Sequence, residues 1–124
     1  MSTTATGSTT FADASRTIIV DEDEEQRLLD AIDDAGCRTI LEVTGDEAMS
    51  ANELSEACDL PLSTTYRKLE LLTESGLLAE SIRIRRSGKH TSEYARCVDD
   101  VHLAVGADGG FEVTLERRVP ATAQ

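Results

Sequence analysis

The stretch SANELSEACDLPLSTTYRKLELLTESGLL, residues 50–78, constrains the fold of this chain more than any other. It holds two helix-forming runs parted by a proline, with room between them for only a tight turn. Ser50-Ala51-Asn52-Glu53 fits the S-x-x-E capping box, and Leu54, Ala57 and Cys58 then predict a short buried stripe about two turns long. Pro61 stops that helix, and Ser63 is the expected N-cap of the next. Leu62, Thr65, Leu69 and Leu72 recur on one side at helical spacing. Gly76 supplies a left-handed residue after the last turn, from which Leu77 folds back on Leu72 as a Schellman motif.

Two further helices are expected upstream. Five acids at residues 21–25 suit a helix N-terminus, followed by Leu28, Leu29, Ile32 and Ala35 on one face before Gly36, and a second helix spans about Cys37 to Val43. Downstream the period changes to two. Ile82 and Ile84 alternate with Arg83 and Arg85, Ser87-Gly88-Lys89-His90 turns the chain, and a second strand runs around Ser92 to Val98. Val101, Leu103 and Val105 lead to the Gly-rich turn 106–110, and Phe111, Val113 and Leu115 answer them. The expected class is α+β, about four helices followed by two β-hairpins, with no internal repeat. Residues 1–17, rich in Ser, Thr, Ala and Gly, read as a disordered tail. Residues 18–98 are then the main domain, 99–118 a C-terminal hairpin packed on it, and 119–124 a second tail.

At 124 residues the chain has the size of one domain, and with no Trp, two Phe and two Tyr its core must be aliphatic. No run approaches the roughly 18 apolar residues of a membrane helix, and the start lacks the basic and apolar regions of a secretory signal. Cys37, Cys58 and Cys97 are odd in number and without C-x-x-C spacing, which fits reduced thiols. A soluble, cytoplasmic protein is expected. No nucleophile stands beside a base and no Gly-rich phosphate loop is present, so neither an enzyme nor a cofactor is expected.

Charge is the strongest compositional signal. Twenty-four acids against twelve bases give −12, and only Lys68 and Lys89 of the bases are lysines. Such acidity resembles proteins adapted to molar intracellular salt, where self-repulsion is screened. Yet residues 61–97 carry seven bases and four acids, against three and fifteen in residues 1–60. One basic island therefore sits in an acidic chain.

That island coincides with two short helices, a turn and a hairpin: a helix-turn-helix with a wing. The buried stripe of the second helix leaves Ser63, Arg67 and Glu70 opposite it and Thr64, Tyr66 and Lys68 at its edges. An α-helix fits the major groove, where Arg and Lys donate to guanine while hydroxyls and first-turn amides hold phosphates. Ser63 and Thr64 are the candidate phosphate holders, and Tyr66, Arg67 and Lys68 the candidate groove readers. Arg85, Arg86, Lys89 and His90 at the hairpin tip are candidates for the flanking backbone or minor groove.

Residues 54–78, LSEACDLPLSTTYRKLELLTESGLL, resemble the winged helix-turn-helix core of ArsR-like transcriptional regulators, of the acidic type seen in halophilic archaea. Leu54, Ala57, Leu60, Ser63, Thr64, Arg67, Leu69, Leu72, Gly76 and Leu77 carry the resemblance. It implies a recognition segment at Ser63 to Lys68, a wing around Gly88, and a homodimer on a pseudo-palindromic stretch of double-stranded DNA. Asp59 departs from the family's usual turn glycine, a position Asp tolerates. No effector or metal motif is carried over.

Other readings of the same residues remain. A winged helix can serve as a protein adaptor that docks on a transcription or chromatin partner without touching DNA. The three cysteines with His90 and His102 lack ligand spacing and read as small buried thiols and surface imidazoles. The acids of residues 21–25 read as a helix start rather than a cation site. For dimerisation, the first helix and the last hairpin both offer an apolar seam, with Phe111, Val113 and Leu115 in the latter.

Overall fold

A computed structural model describes residues 15–118. In chain order the elements are β1 (Ser15–Ile19), α1 (Glu22–Asp33), α2 (Ala35–Val43), β2 (Met49–Ser50), α3 (Ala51–Cys58), α4 (Leu62–Glu74), β3 (Leu78–Ile84), β4 (His90–Arg96), β5 (Val98–Val105) and β6 (Phe111–Arg118). The strands form two antiparallel sheets of three, ordered β2-β4-β3 and β1-β6-β5. Two compact units result: residues 21–96, and, among the described residues, 97–118 together with 15–20.

In the first unit, local chemistry sets the helix boundaries. Asp21 precedes α1, and Glu22, Asp23, Glu24 and Glu25 place negative charge in its first turn, where the helix dipole favours it. Leu28 and Ala31 are buried, whereas Ala35, expected on the same face, is exposed and opens α2 instead. The break comes at Asp34, whose extended backbone (ψ 122°) ends α1 and whose carboxylate accepts from the Cys37 amide at 3.0 Å to cap α2. The Ser50–Glu53 capping box forms as expected, Glu53 N–H donating to Ser50 Oγ at 3.2 Å and Ser50 N–H to Glu53 Oε1 at 2.8 Å. The buried stripe of α3 differs by one position: Ala51 and Leu54 are buried and Cys58 half-buried, while Ala57 faces solvent.

Three residues join α3 to α4. Asp59 adopts the left-handed region (φ 55°), as expected of an Asp in a glycine position, and Leu60 N–H returns to Ser55 O at 3.0 Å. Helix α4 begins earlier than expected. Pro61, with φ −58°, is the N-cap, so Ser63 lies inside the first turn and does not cap. Proline's fixed φ and missing N–H suit a helix start, which removes any need for a capping hydroxyl at Ser63. Leu62 consequently points outward and is 40% exposed, and the buried stripe is Thr65, Leu69 and Leu72. The C-terminal Schellman motif forms in full: Gly76 takes φ 80°, its N–H reaches Thr73 O at 3.1 Å, and Leu77 N–H reaches Leu72 O at 3.0 Å.

β3 and β4 make the hairpin, with the second strand running His90–Arg96 rather than Ser92 to Val98. Two-residue β2 adds to its edge, Met49 opposite Tyr94 and Ser50 opposite Glu93, and so feeds the chain directly into α3. Leu28, Ile40, Leu54, Leu69, Leu72 and Leu77 are buried almost completely, giving the aliphatic core the composition requires.

In the second unit, β6 lies between β1 and β5, and Ile18 pairs with Leu115. Residues 15–17, expected within a disordered tail, belong to β1; residues 1–14 and 119–124 lie outside the described residues. Val113 and Leu115, expected in an exposed seam, are buried, as is Val98, while Leu103, Val105 and Phe111 are 53%, 66% and 59% exposed.

Candidate nucleic-acid interface

Helix α4 turns four different faces to its surroundings. With Thr65, Leu69 and Leu72 inward, a turn of about 100° per residue puts Ser63, Arg67 and Glu70 outward, and all three are exposed. Tyr66 lies on the hairpin side, 52% exposed, and lines one groove with Asn52 at the start of α3 and with His90 and Ser92 of β4. Beneath it Tyr94 is buried beside Glu80, and burial together with that carboxylate pushes its phenol up from the usual value. Thr64 is half-buried.

The remaining face, toward α2, carries Lys68. Its ammonium donates to both carboxylate oxygens of Asp34 at 2.8 Å, and its stem passes over Gly36, where an added Cβ would stand 2.7 Å from Lys68 Cε. Lys68, expected to read the groove, is therefore a tie between α4 and the α1–α2 junction. The ammonium beside Asp34, with the Cys37 amide, holds that carboxyl below the ordinary value of 3.8.

At the hairpin tip, Arg85, Arg86, Lys89 and His90 are all exposed. Gly88 adopts φ 87°, which a residue with a Cβ rarely tolerates, and the turn closes through Gly88 N–H to Arg85 O at 2.9 Å and Arg85 N–H to Lys89 O at 3.0 Å. Ile82 and Ile84 are also exposed, on the sheet face shared with Tyr94, Ser92 and His90.

Ion pairing separates the cations into two groups. Arg27, Lys68, Arg83 and Arg118 are paired with carboxylates. Arg67, Arg85, Arg86 and Lys89 form no ion pair among the described residues; nor do Arg38 of α2, whose guanidinium donates to Ile32 O at 2.7 Å, and half-buried Arg96 at the end of β4. In a chain with twice as many acids as bases, unpaired cations on one helix face and one hairpin tip form a local positive edge.

Arg83 was not legible as a functional residue. Its guanidinium Nε donates to Glu93 Oε2 at 2.7 Å and Nη2 to Glu53 Oε1 at 3.2 Å, so it joins β3, β4 and the first turn of α3. The alternation Ile82-Arg83-Ile84-Arg85 marks it as a strand cation, but its two partners lie 10 and 30 residues away.

The thiols sit apart from this region's chemistry. Burial and the neighbouring Asp34 push Cys37 up to about 11, and burial likewise raises Cys58 and Cys97, so all three stay protonated at neutral pH. Among the described residues, no three His, Cys, Asp or Glu side chains gather as a metal site, and no helix is long and apolar enough to cross a membrane.

Residues 27–81 match the family model described as a helix-turn-helix domain, a span running from within α1 into β3. No curated protein matches the chain. Among solved structures, NolR from Sinorhizobium fredii superposes with a TM-score of 0.51 at 22% identity, over 62% of this chain and 72% of that one. A homodimeric winged helix-turn-helix DNA-binding domain from Mycobacterium bovis, a possible ArsR-family transcriptional regulator, gives 0.49 at 19% identity over 60% and 64% of the two chains. A possible transcriptional regulator from Methanosarcina mazei gives 0.47 at 19% identity over 64% and 73%. The fold of residues 21–96 is a winged helix-turn-helix: α3 and α4 are the helix pair, β3 and β4 the wing.

Proposed function

We propose that the protein binds double-stranded DNA through residues 21–96 and regulates transcription as an ArsR-like winged helix-turn-helix regulator. The observation that carries this reading is the set of unpaired, exposed cations on α4 and the wing tip. Arg67 addresses bases in the major groove, with Tyr66 beside it. Ser63, Thr64 and the first-turn amides of α4 hold phosphate, and Arg85, Arg86, Lys89 and His90 engage the flanking backbone. Lys68 acts from behind, by fixing α4 against α2. One such helix reads only a few base pairs, so the working unit is a homodimer on two half-sites.

Duplexes selected from a random pool, titrated by fluorescence anisotropy, test the reading. Arg67→Ala is expected to weaken binding about tenfold or more, as loss of a base contact does. Reversing Arg85 and Arg86 to Glu is expected to weaken it on all sequences and to lower the salt slope by about two. No selected duplex at any salt concentration, or unchanged affinity in both variants, would overturn it; wing reversal without effect would favour an adaptor that docks on protein.

A further inference from the structure

The wing of a helix-turn-helix protein is useful only if its angle to the recognition helix matches the step from major groove to flanking backbone. β3 and β4 are an antiparallel pair with an exposed tip, and a two-stranded ribbon of this kind twists and flexes readily. Something must therefore set its pitch.

We propose that Arg83 is the positioning residue that fixes the wing against the helix pair, by clamping Glu93 of β4 and Glu53 of α3 with one guanidinium. The inference rests on the DNA-binding reading above. Arg83 and Glu93 lie on one face of the hairpin, diagonal neighbours across the strands, and this face is opposite that of Ile82 and Ile84. Glu53 is the capping-box residue of α3, held by Ser50 N–H as well as by Arg83. A single carboxylate thus ends both the helix cap and the wing clamp. β2 fixes the same junction through the backbone, since Ser50 pairs with Glu93 itself. The planar fork of Arg makes two directed bonds at a set angle, which the point charge of Lys does not reproduce. Arg83 is spent on these carboxylates, in contrast to Arg85 and Arg86 two and three residues on. Its work is orientation, not phosphate contact.

Two measurements on the full chain test this. The first needs no DNA: NMR order parameters of residues 85–90 are expected to fall in Arg83→Met, with those of α3 and α4 unchanged and the thermal midpoint near wild type. Arg83→Lys, which keeps the charge but loses the fork, should recover only part of the rigidity. The second is hydroxyl-radical footprinting on a selected duplex. Arg83→Met should lose protection in the flanks while keeping it at the centre, with affinity down on the order of tenfold, the cost of ordering a loosened wing on binding. Order parameters unchanged in Arg83→Met overturn the inference whether or not DNA is bound. So does full restoration by Lys, or equal loss of central and flanking protection. A wild-type protein that binds no duplex defeats the DNA-binding reading alone, because the order parameters still decide whether Arg83 sets the wing.

Discussion

Lys68, which the sequence offers as a groove contact, holds a carboxylate within the fold. Helical spacing puts it at the edge of α4, which is where groove readers sit, and nothing local marks Asp34, 34 positions earlier, as its partner. The pair does two jobs: Asp34 caps α2 through Cys37 N–H and receives the ammonium of α4. Replacing Asp34 by Ala removes both and is expected to cost about 1–2 kcal/mol in urea denaturation, while Asn, which keeps the cap, should cost less. Because the native carboxyl is held below 3.8, the pair's contribution is complete above that value and is lost as pH falls through the lower native one. Lys68→Met should accordingly flatten the acid limb of the stability profile. A variant as acid-sensitive as wild type would show the pair to be idle. Arg67 is the opposite case, since its outward direction follows from the 3.6-residue period alone and the structure places it there.

At the level of elements, what the sequence reveals is what short-range chemistry decides. The capping box, the left-handed Asp59 and the Schellman closure at Gly76 each involve residues within five positions, and all are as the pattern implies. β1 and β2 were not legible, because two to five residues carry no usable period and their partners are remote: Ile18 pairs with Leu115. The exposed face of the last hairpin was misjudged for a related reason. Alternation shows that Val113 and Leu115 share a face with Phe111, but not how far along the strand burial extends. The wing tip was legible as basic, whereas the clamp behind it was not. Ser50→Ala should destabilise by about 1 kcal/mol through loss of the α3 cap, read as a lower urea midpoint at unchanged slope. Gly76→Ala should cost a similar 1–2 kcal/mol, since φ 80° forces a Cβ toward the following carbonyl. A neutral result at Gly76 would mean that the turn relaxes at no cost.

Over the whole molecule the dominant quantity is a net charge of −12, and it sets stability and the proposed DNA binding in opposition. Twenty-four acids on a body this small repel one another over the roughly 10 Å Debye length of 0.1 M salt, but hardly beyond 3 Å at 1 M. Raising potassium chloride from 0.1 to 2 M should therefore raise the thermal midpoint steadily, most steeply at the low end. Duplex affinity should move the other way. The three unpaired wing cations, Arg85, Arg86 and Lys89, release condensed counterions on meeting phosphates, and a slope of about −0.9 per contact predicts a loss of about 500-fold per decade of salt for each protomer. The acidic remainder modifies that figure, because bringing carboxylates toward a polyanion takes up cations and makes the observed slope shallower or even positive. The two contributions separate by mutation. Neutralising Arg85 and Arg86 to Gln removes release without adding carboxylates, whereas neutralising Asp21, Glu22 and Asp23 at the start of α1, which form no ion pair among the described residues, removes only anionic charge and should lower the salt gain in thermal midpoint. A midpoint indifferent to salt would show that the acids are already compensated within the fold, and would leave the excess of Asp and Glu without a role in stability.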